Sequence, residues 1–218
     1  MSVISISIVS DVVCPWCYVG ITQLQKAIQA FHNNHPDTTF NIKWHAFELN
    51  PTLEPIDPSK KVLVSPKVEH LERKFGSLDR IKQMSEFLKE RANSLGIKID
   101  TLGGNIGSTR LAHESIAYAG QKNKQTELSI ALFEAYFSRN EDIFSKDDIL
   151  RVAKSVDGIN VTELDDYIST GKGRNLVDDE IRKYRAVGGV PDFTIQGQVK
   201  IHGGQDAAVF EQIFERLV

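Results

Sequence analysis

The chain has 218 residues, 41% hydrophobic and 25% charged, with 26 basic against 29 acidic side chains and a formal net charge of −3. That length and mix can bury a full core without disulfide staples, and the charge balance offers no chain-wide attraction to nucleic acid or an anionic membrane surface. No run approaches the ~18 to 20 apolar residues that cross a bilayer, so neither a nucleic acid nor a membrane is an expected partner.

Residues 3 to 9 alternate β-branched and small polar side chains with period 2, which predicts a strand rather than the apolar core of a signal peptide. Val19, Leu24, Ala27, Ile28 and Phe31 then form one apolar stripe, predicting a helix that ends near Asn33-Asn34-His35-Pro36. Residues 39 to 47 alternate again. Strand, helix, strand implies a parallel pair joined by a crossover helix.

Three prolines between Asn50 and Lys61 mark a loop, and beyond them the pattern becomes helical: 67–75, 78–95, 108–122, 125–138, 146–156, 161–169 and 173–187. Strands resume at 193–196 and 199–202, joined by Gly197-Gln198 as a two-residue turn, and a last amphipathic helix covers 205–217. The expected fold class is α/β, a sheet domain made of 1–60 and 188–218 split by an all-helical domain, 61–187, inserted between its second and third strands.

The two cysteines, Cys14 and Cys17, stand in the run Cys14-Pro15-Trp16-Cys17, where the first strand gives way to the first helix. Pro15 suits the first helical position, which leaves Cys14 as N-cap. Thiols at a helix start meet unpaired N–H groups and about +0.5 of charge, which draw their pKa from ~8.5 into the range of about 3.5 to 7.5. Cys14 is therefore the candidate nucleophile, and Cys17, one turn further in, the candidate resolving thiol. Two other readings exist. Paired burial as small core residues is one. A zinc site with His32 and His35 is the other, and a helix of ~1.5 Å rise per residue would put His32 roughly 22 to 27 Å from the cysteines, out of a metal's reach. With two cysteines and no disulfide framework, the expected location is cytoplasmic.

Gly188-Gly189-Val190-Pro191-Asp192-Phe193 places a proline at the start of a returning strand. A cis Val190–Pro191 bond fits a strand that runs beside the cysteine helix and frees a backbone edge for substrate; a trans proline in a loop is the plainer alternative. Val190 and Pro191 are thus candidate substrate-binding residues, with Trp16 as an aromatic collar that also suits packing. His113, on the predicted helix 108–122, could contact substrate or tune the thiolate, or be a hydrogen-bonded packing residue. Asp11 could be a polar wall of the site or a turn former, and the turn is the favoured reading. His45 and Glu48 end the second strand on the side where α/β clefts form; orienting the Asn50-Pro51 loop is the plainer reading of Glu48.

Ser10 to Gly20 (SDVVCPWCYVG), Phe47 to Pro51 (FELNP), Arg110-Leu111-Ala112-His113, Gly189 to Phe193 (GVPDF) and Gly203-Gly204-Gln205 occur in that order. Over nearly its whole length the chain resembles the DsbA family, in particular its cytoplasmic FrnE-like branch. The resemblance implies a split thioredoxin domain with a helical insertion, a redox couple at Cys14 and Cys17, and a cis-proline at Pro191. Ser108-Thr109 stands where the family tends to show Asn followed by Thr or Ser, and Gly204 where it commonly has Ala.

The expected function is thiol–disulfide exchange with no bound cofactor, glutathione being possible as co-substrate. The expected partner is a disulfide-bearing protein or a small thiol or aromatic molecule, for a chain working as a monomer or a homodimer. The enzymatic alternative is a glutathione-dependent transferase or isomerase, resembling the kappa-class transferases and the 2-hydroxychromene-2-carboxylate isomerases. Those relatives typically carry Ser at the position of Cys14, and they need no resolving thiol. A peptide-binding chaperone with idle cysteines is a third class.

Overall fold

The computed structural model describes residues 2–53 and 64–218. The boundary expected between residues 60 and 61, and most of the loop 50–61, lie outside the described residues. β1 (Val3–Ser10) follows its alternation, burying Ile4, Ile6 and Ile8 to 1% exposure each. α1 (Pro15–Asn34) buries Tyr18, Ile21, Leu24, Ala27 and Phe31 along one stripe and returns the chain to β2 (Thr39–Ala46). β2 pairs parallel with β1, Val3 opposite Thr39 and Ser10 opposite Ala46.

Between β2 and the next strand of this sheet come α2 (Lys67–Phe75), α3 (Leu78–Ser94), α4 (Arg110–Gly120), α5 (Gln125–Phe133), α6 (Lys146–Ala153), α7 (Val161–Ser169) and α8 (Arg174–Tyr184). Local chemistry sets several of the starts. Ser145 and Asp148 exchange side-chain and backbone hydrogen bonds in a capping box before α6, and the Asn160 side chain accepts from the N–H groups of Thr162 and Glu163 before α7.

Two features depart from the expectation of an all-helical stretch. Two-residue strands β3 (Ser65–Pro66) and β4 (Asn105–Ile106) pair antiparallel, and they are too short to leave a period in the sequence. The helix expected over 125–138 changes at Glu134 into a π-helical turn, Glu134–Ser138, which carries buried Ala135, Tyr136 and Phe137.

β5 (Asp192–Ile195) and β6 (Val199–His202) complete a four-stranded sheet in the order β2-β1-β5-β6, and α9 (Ala207–Phe214) packs beside α1. The hairpin is one residue longer than expected. Its loop is Gln196–Gln198, with Gln196 at φ 51° and Gly197 at φ 68°. The Gln196 side chain binds the start of β1: its Nε2 donates to Val3 O at 3.0 Å and its Oε1 accepts from Ser5 N at 3.3 Å. Among the described residues no helix is long and apolar enough to cross a membrane.

Candidate active site

The site is built where β1 ends. After Ser10 the chain turns, Cys14 N–H donating to Asp11 O at 3.0 Å, and α1 begins at Pro15 with Cys14 as its N-cap in extended backbone. The Cys14 side chain makes no capping hydrogen bond to the helix. Its thiol donates instead to Val190 O, 3.5 Å away. That contact is long-range in sequence and short-range in topology. β5 runs antiparallel to β1 with Asp192 opposite Val9, so the start of β5 falls beside the end of β1.

The Val190–Pro191 peptide is cis. Pro191 is buried, Val190 half-buried, and Gly188 and Gly189 are exposed ahead of them. Two glycines allow the close approach of these segments. A Cβ on Gly20 would lie 3.0 Å from Pro191 Cγ and 3.1 Å from Phe193 Cζ, and one on Gly204 would lie 3.1 Å from Trp16 O and 3.2 Å from Val19 Cγ1. Contacts that short force neighbours to shift.

Both thiols are free and buried, Cys14 at 5% exposure and Cys17 at 2%. Their environments differ. Burial pushes the Cys17 thiol well above its ordinary pKa, and the Cys14 side chain pushes the same way, against smaller opposing contributions from the Ser10 hydroxyl and the Asp11 backbone. Cys17 thus holds its proton at neutral pH. Cys14 opens onto a cleft of about 340 Å³, floored by Val13, Pro15 and Trp16, walled by α2 and α3, and closed on the last side by Gly189 and Val190. The walls are apolar, with Leu71, Ile81 and Leu88 among them, and Phe75 and Met84 half-exposed there. The Trp16 ring lies 6.1 Å from that of Phe87, which is 61% exposed.

The structure therefore brings Cys14, Trp16 and Val190 to one cleft, with Cys17 and Pro191 behind it. His113 stands elsewhere. At 5% exposure its Nε2 donates to Phe47 O at 2.9 Å and lies 3.4 Å from Asp11 Oδ1, and it borders a larger groove of about 700 Å³ along β2 that contains neither cysteine. Its contacts are with the Phe47 carbonyl after β2 and the Asp11 carboxylate, as a packing histidine's would be.

Asp11 is more than a turn former. Fully buried, it accepts from Leu49 N–H at 2.8 Å through Oδ2, tying the cysteine turn to the segment after β2. Glu48 beside it is pushed upward in pKa by burial, an effect opposed by Arg110, whose Nε lies 3.2 Å from Glu48 Oε1, and by His113. Arg110 also pairs with Asp178, linking α4 to α8. His45 Nδ1 meets Glu180 Oε1 at 2.7 Å, and Ala46 N–H donates to Glu180 Oε2 at 3.0 Å. Burial works against the Glu180 charge, but the bonds from His45 and Ala46 outweigh it and hold that carboxyl below its usual range. These contacts brace the cysteine turn from behind.

Sequence reasoning missed the cations of the cleft. Lys67, His70 and Lys74 recur on α2 at one-face spacing, and all three line it. Asn50 Oδ1 accepts from His70 Nε2 at 3.0 Å and from Lys74 Nζ at 3.2 Å. Burial, then Lys74 and Arg73, depress the His70 pKa. The i, i+3, i+7 pattern was readable, but so were many other lysines on helices.

A four-stranded sheet of this order, with α1 and α9 on it, a Cys-x-x-Cys pair at the head of α1 and a cis-proline at the start of β5, defines a thioredoxin-fold protein. Residues 5–215 match the DsbA-like thioredoxin domain, and the chain belongs to that family. It is 24% identical over 220 residues to the uncharacterized protein YwbO of Bacillus subtilis, covering 96% of this chain and 94% of that one. The probable DsbA oxidoreductase SCO1869 of Streptomyces coelicolor superposes with a TM-score of 0.83 at 25% identity, over 98% of this chain and 89% of that one. A 2-hydroxychromene-2-carboxylate isomerase shares the fold with a TM-score of 0.70 at 17% identity, over 98% of this chain and 95% of that one.

Proposed function

We propose that the protein is a thiol–disulfide oxidoreductase in which Cys14 attacks and Cys17 resolves. The observation that carries this reading is the arrangement around Cys14: a thiol at a helix start, 3.5 Å from the carbonyl ahead of a cis-proline, opening on an apolar cleft with a second, more deeply buried thiol behind it. Cys14 gives its proton to solvent, and the Cys14 Sγ thiolate forms a bond to one sulfur of a substrate disulfide. The substrate S–S bond breaks, and the leaving thiolate takes a proton from solvent. Cys17 then gives up its proton and attacks Cys14 Sγ, so that the Cys14–Cys17 bond forms and the second substrate thiol departs.

Two electrons pass from the dithiol to the substrate, and two molecules of an external thiol such as glutathione, oxidised to their disulfide, restore the dithiol. Val190 and Pro191 align the partner sulfur, and Trp16 with the α2 and α3 side chains receives its apolar part. No bound cofactor is required. The same proposal takes 1–60 with 188–218 as the thioredoxin domain and 61–187 as a helical domain roofing the cleft. It also places the protein in the cytoplasm, on the ground that two cysteines provide a redox pair and no structural disulfides.

Cys17 argues against the transferase or isomerase alternative, since activating a glutathione thiol requires no second protein thiol. A redox titration separates the two. In glutathione buffers of graded ratio, with free thiols alkylated and counted by mass, the oxidoreductase reading expects Cys14 and Cys17 to be lost together as one couple, about 30 mV per tenfold in equilibrium constant. Stable single glutathionylation of Cys14 with Cys17 left free would favour the alternative.

A further inference from the structure

Lys67 is a buried cation that the exchange chemistry leaves unused. It is 4% exposed, the first residue of α2, and its backbone is fixed by the β3–β4 ladder, Lys67 N–H donating to Gly104 O at 3.0 Å. Its Nζ stands 4.0 Å over the centre of the Tyr136 ring and 5.5 Å from that of Phe137, and donates to Asp100 O at 3.5 Å. An ammonium has three protons to donate. Among the described residues Asp100 O is the one hydrogen-bond acceptor of Nζ, and the Tyr136 ring faces a second side of the ammonium. Burial lowers its pKa to about 8, opposed by Asp100 and Asp142, so the group is still mostly charged at pH 7.

The aromatic rings and the more distant Asp100 and Asp142 carboxylates satisfy such a charge only in part, so an anion arriving with a ligand would stabilise it further. His70 and Lys74 line the same cleft on the same face of α2. Its volume of about 340 Å³ falls in the range, roughly 300–1,000 Å³, of pockets that enclose small molecules.

We propose that the α2 face of the cleft, with Lys67 at its centre, is an anion subsite that binds a carboxylate of a small thiol or disulfide whose sulfur is presented to Cys14. The part of this that concerns Cys14 rests on the oxidoreductase reading, whereas the subsite is a binding property that can be measured without turnover. The Tyr136 and Phe137 rings hold the Lys67 ammonium in place, and the apolar cleft walls keep water from competing for the carboxylate. A neutral disulfide of the same size gains nothing from Lys67.

The test compares S-methylglutathione, which carries carboxylates and has no reactive thiol, with its dimethyl ester, by calorimetry on the wild-type chain and on Lys67→Met and Lys67→Arg. The wild type should bind the acid about tenfold more tightly than the ester, the scale of one charged hydrogen bond. Lys67→Met should abolish that preference, and Lys67→Arg should keep part of it. Equal wild-type affinities for acid and ester, no binding of either, or a preference that survives Lys67→Met would overturn the proposal. The acid-to-ester ratio in the wild type needs no variant to fold, and binding that holds while the redox titration fails would leave the subsite standing without the exchange chemistry.

Discussion

Replacing Cys17 with alanine is expected to leave the chain covalently joined to its disulfide substrate through Cys14. Cys17 is 2% exposed and sits one helical turn beyond the attacking thiol, so it touches no substrate until the mixed disulfide has formed. Without it the mixed disulfide has no internal route to release. Incubated with a small disulfide and examined by mass spectrometry without reductant, Cys17→Ala should carry the mass of one half-substrate on most chains, removable by dithiothreitol. The wild type should show almost none. Equal adduct levels in the two proteins would mean that Cys17 does not resolve. The substitution removes one buried sulfur and should cost little stability compared with this kinetic block.

A large stability effect is expected at Phe133. Its ring is fully buried at the end of α5, stacked 5.3 Å from Tyr18 of α1, 6.3 Å from Phe137 and 6.5 Å from Trp44 of β2. One side chain thus joins the cysteine helix, the edge strand and the helical stretch. Phe133→Ala should lower the free energy of unfolding by about 3–5 kcal/mol, against a total of roughly 5–15 kcal/mol for a folded protein. Urea denaturation followed by circular dichroism measures it. A loss under about 1 kcal/mol would show that the cluster refills the space and does not act as the joint described here.

What the sequence disclosed about this fold is what short-range pattern carries. The period-2 run of β1 and the apolar stripe of α1 produced elements within a residue or a few of those observed, and the cysteines at their junction needed no tertiary information. The start of β5 was legible for a different reason: a proline after two glycines, ahead of a strand, admits few backbone solutions. Fold and family followed from these. The rest depended on contacts between distant segments. Nothing local distinguishes Lys67 from Lys82 or Lys89, yet only Lys67 is set among Tyr136 and Phe137 by a ladder of two residues per strand. Asp11 resembled any turn aspartate until Leu49 N–H was found on its carboxylate. Gln196, at positive φ in the hairpin turn, has an amide that reaches Val3 and Ser5 across the sheet. His113 shows the converse: a residue suggestive in sequence whose hydrogen bond goes to the protein's own backbone.

The central claim is that Cys14 performs the chemistry, and insulin reduction tests it most directly. With glutathione or dithiothreitol as the electron source, the wild type should accelerate precipitation of the insulin B chain, and Cys14→Ser should fall to the rate of the reductant alone. A serine hydroxyl at the head of α1 retains the shape of the site and loses the nucleophile. Equal rates for the wild type and Cys14→Ser would contradict the account.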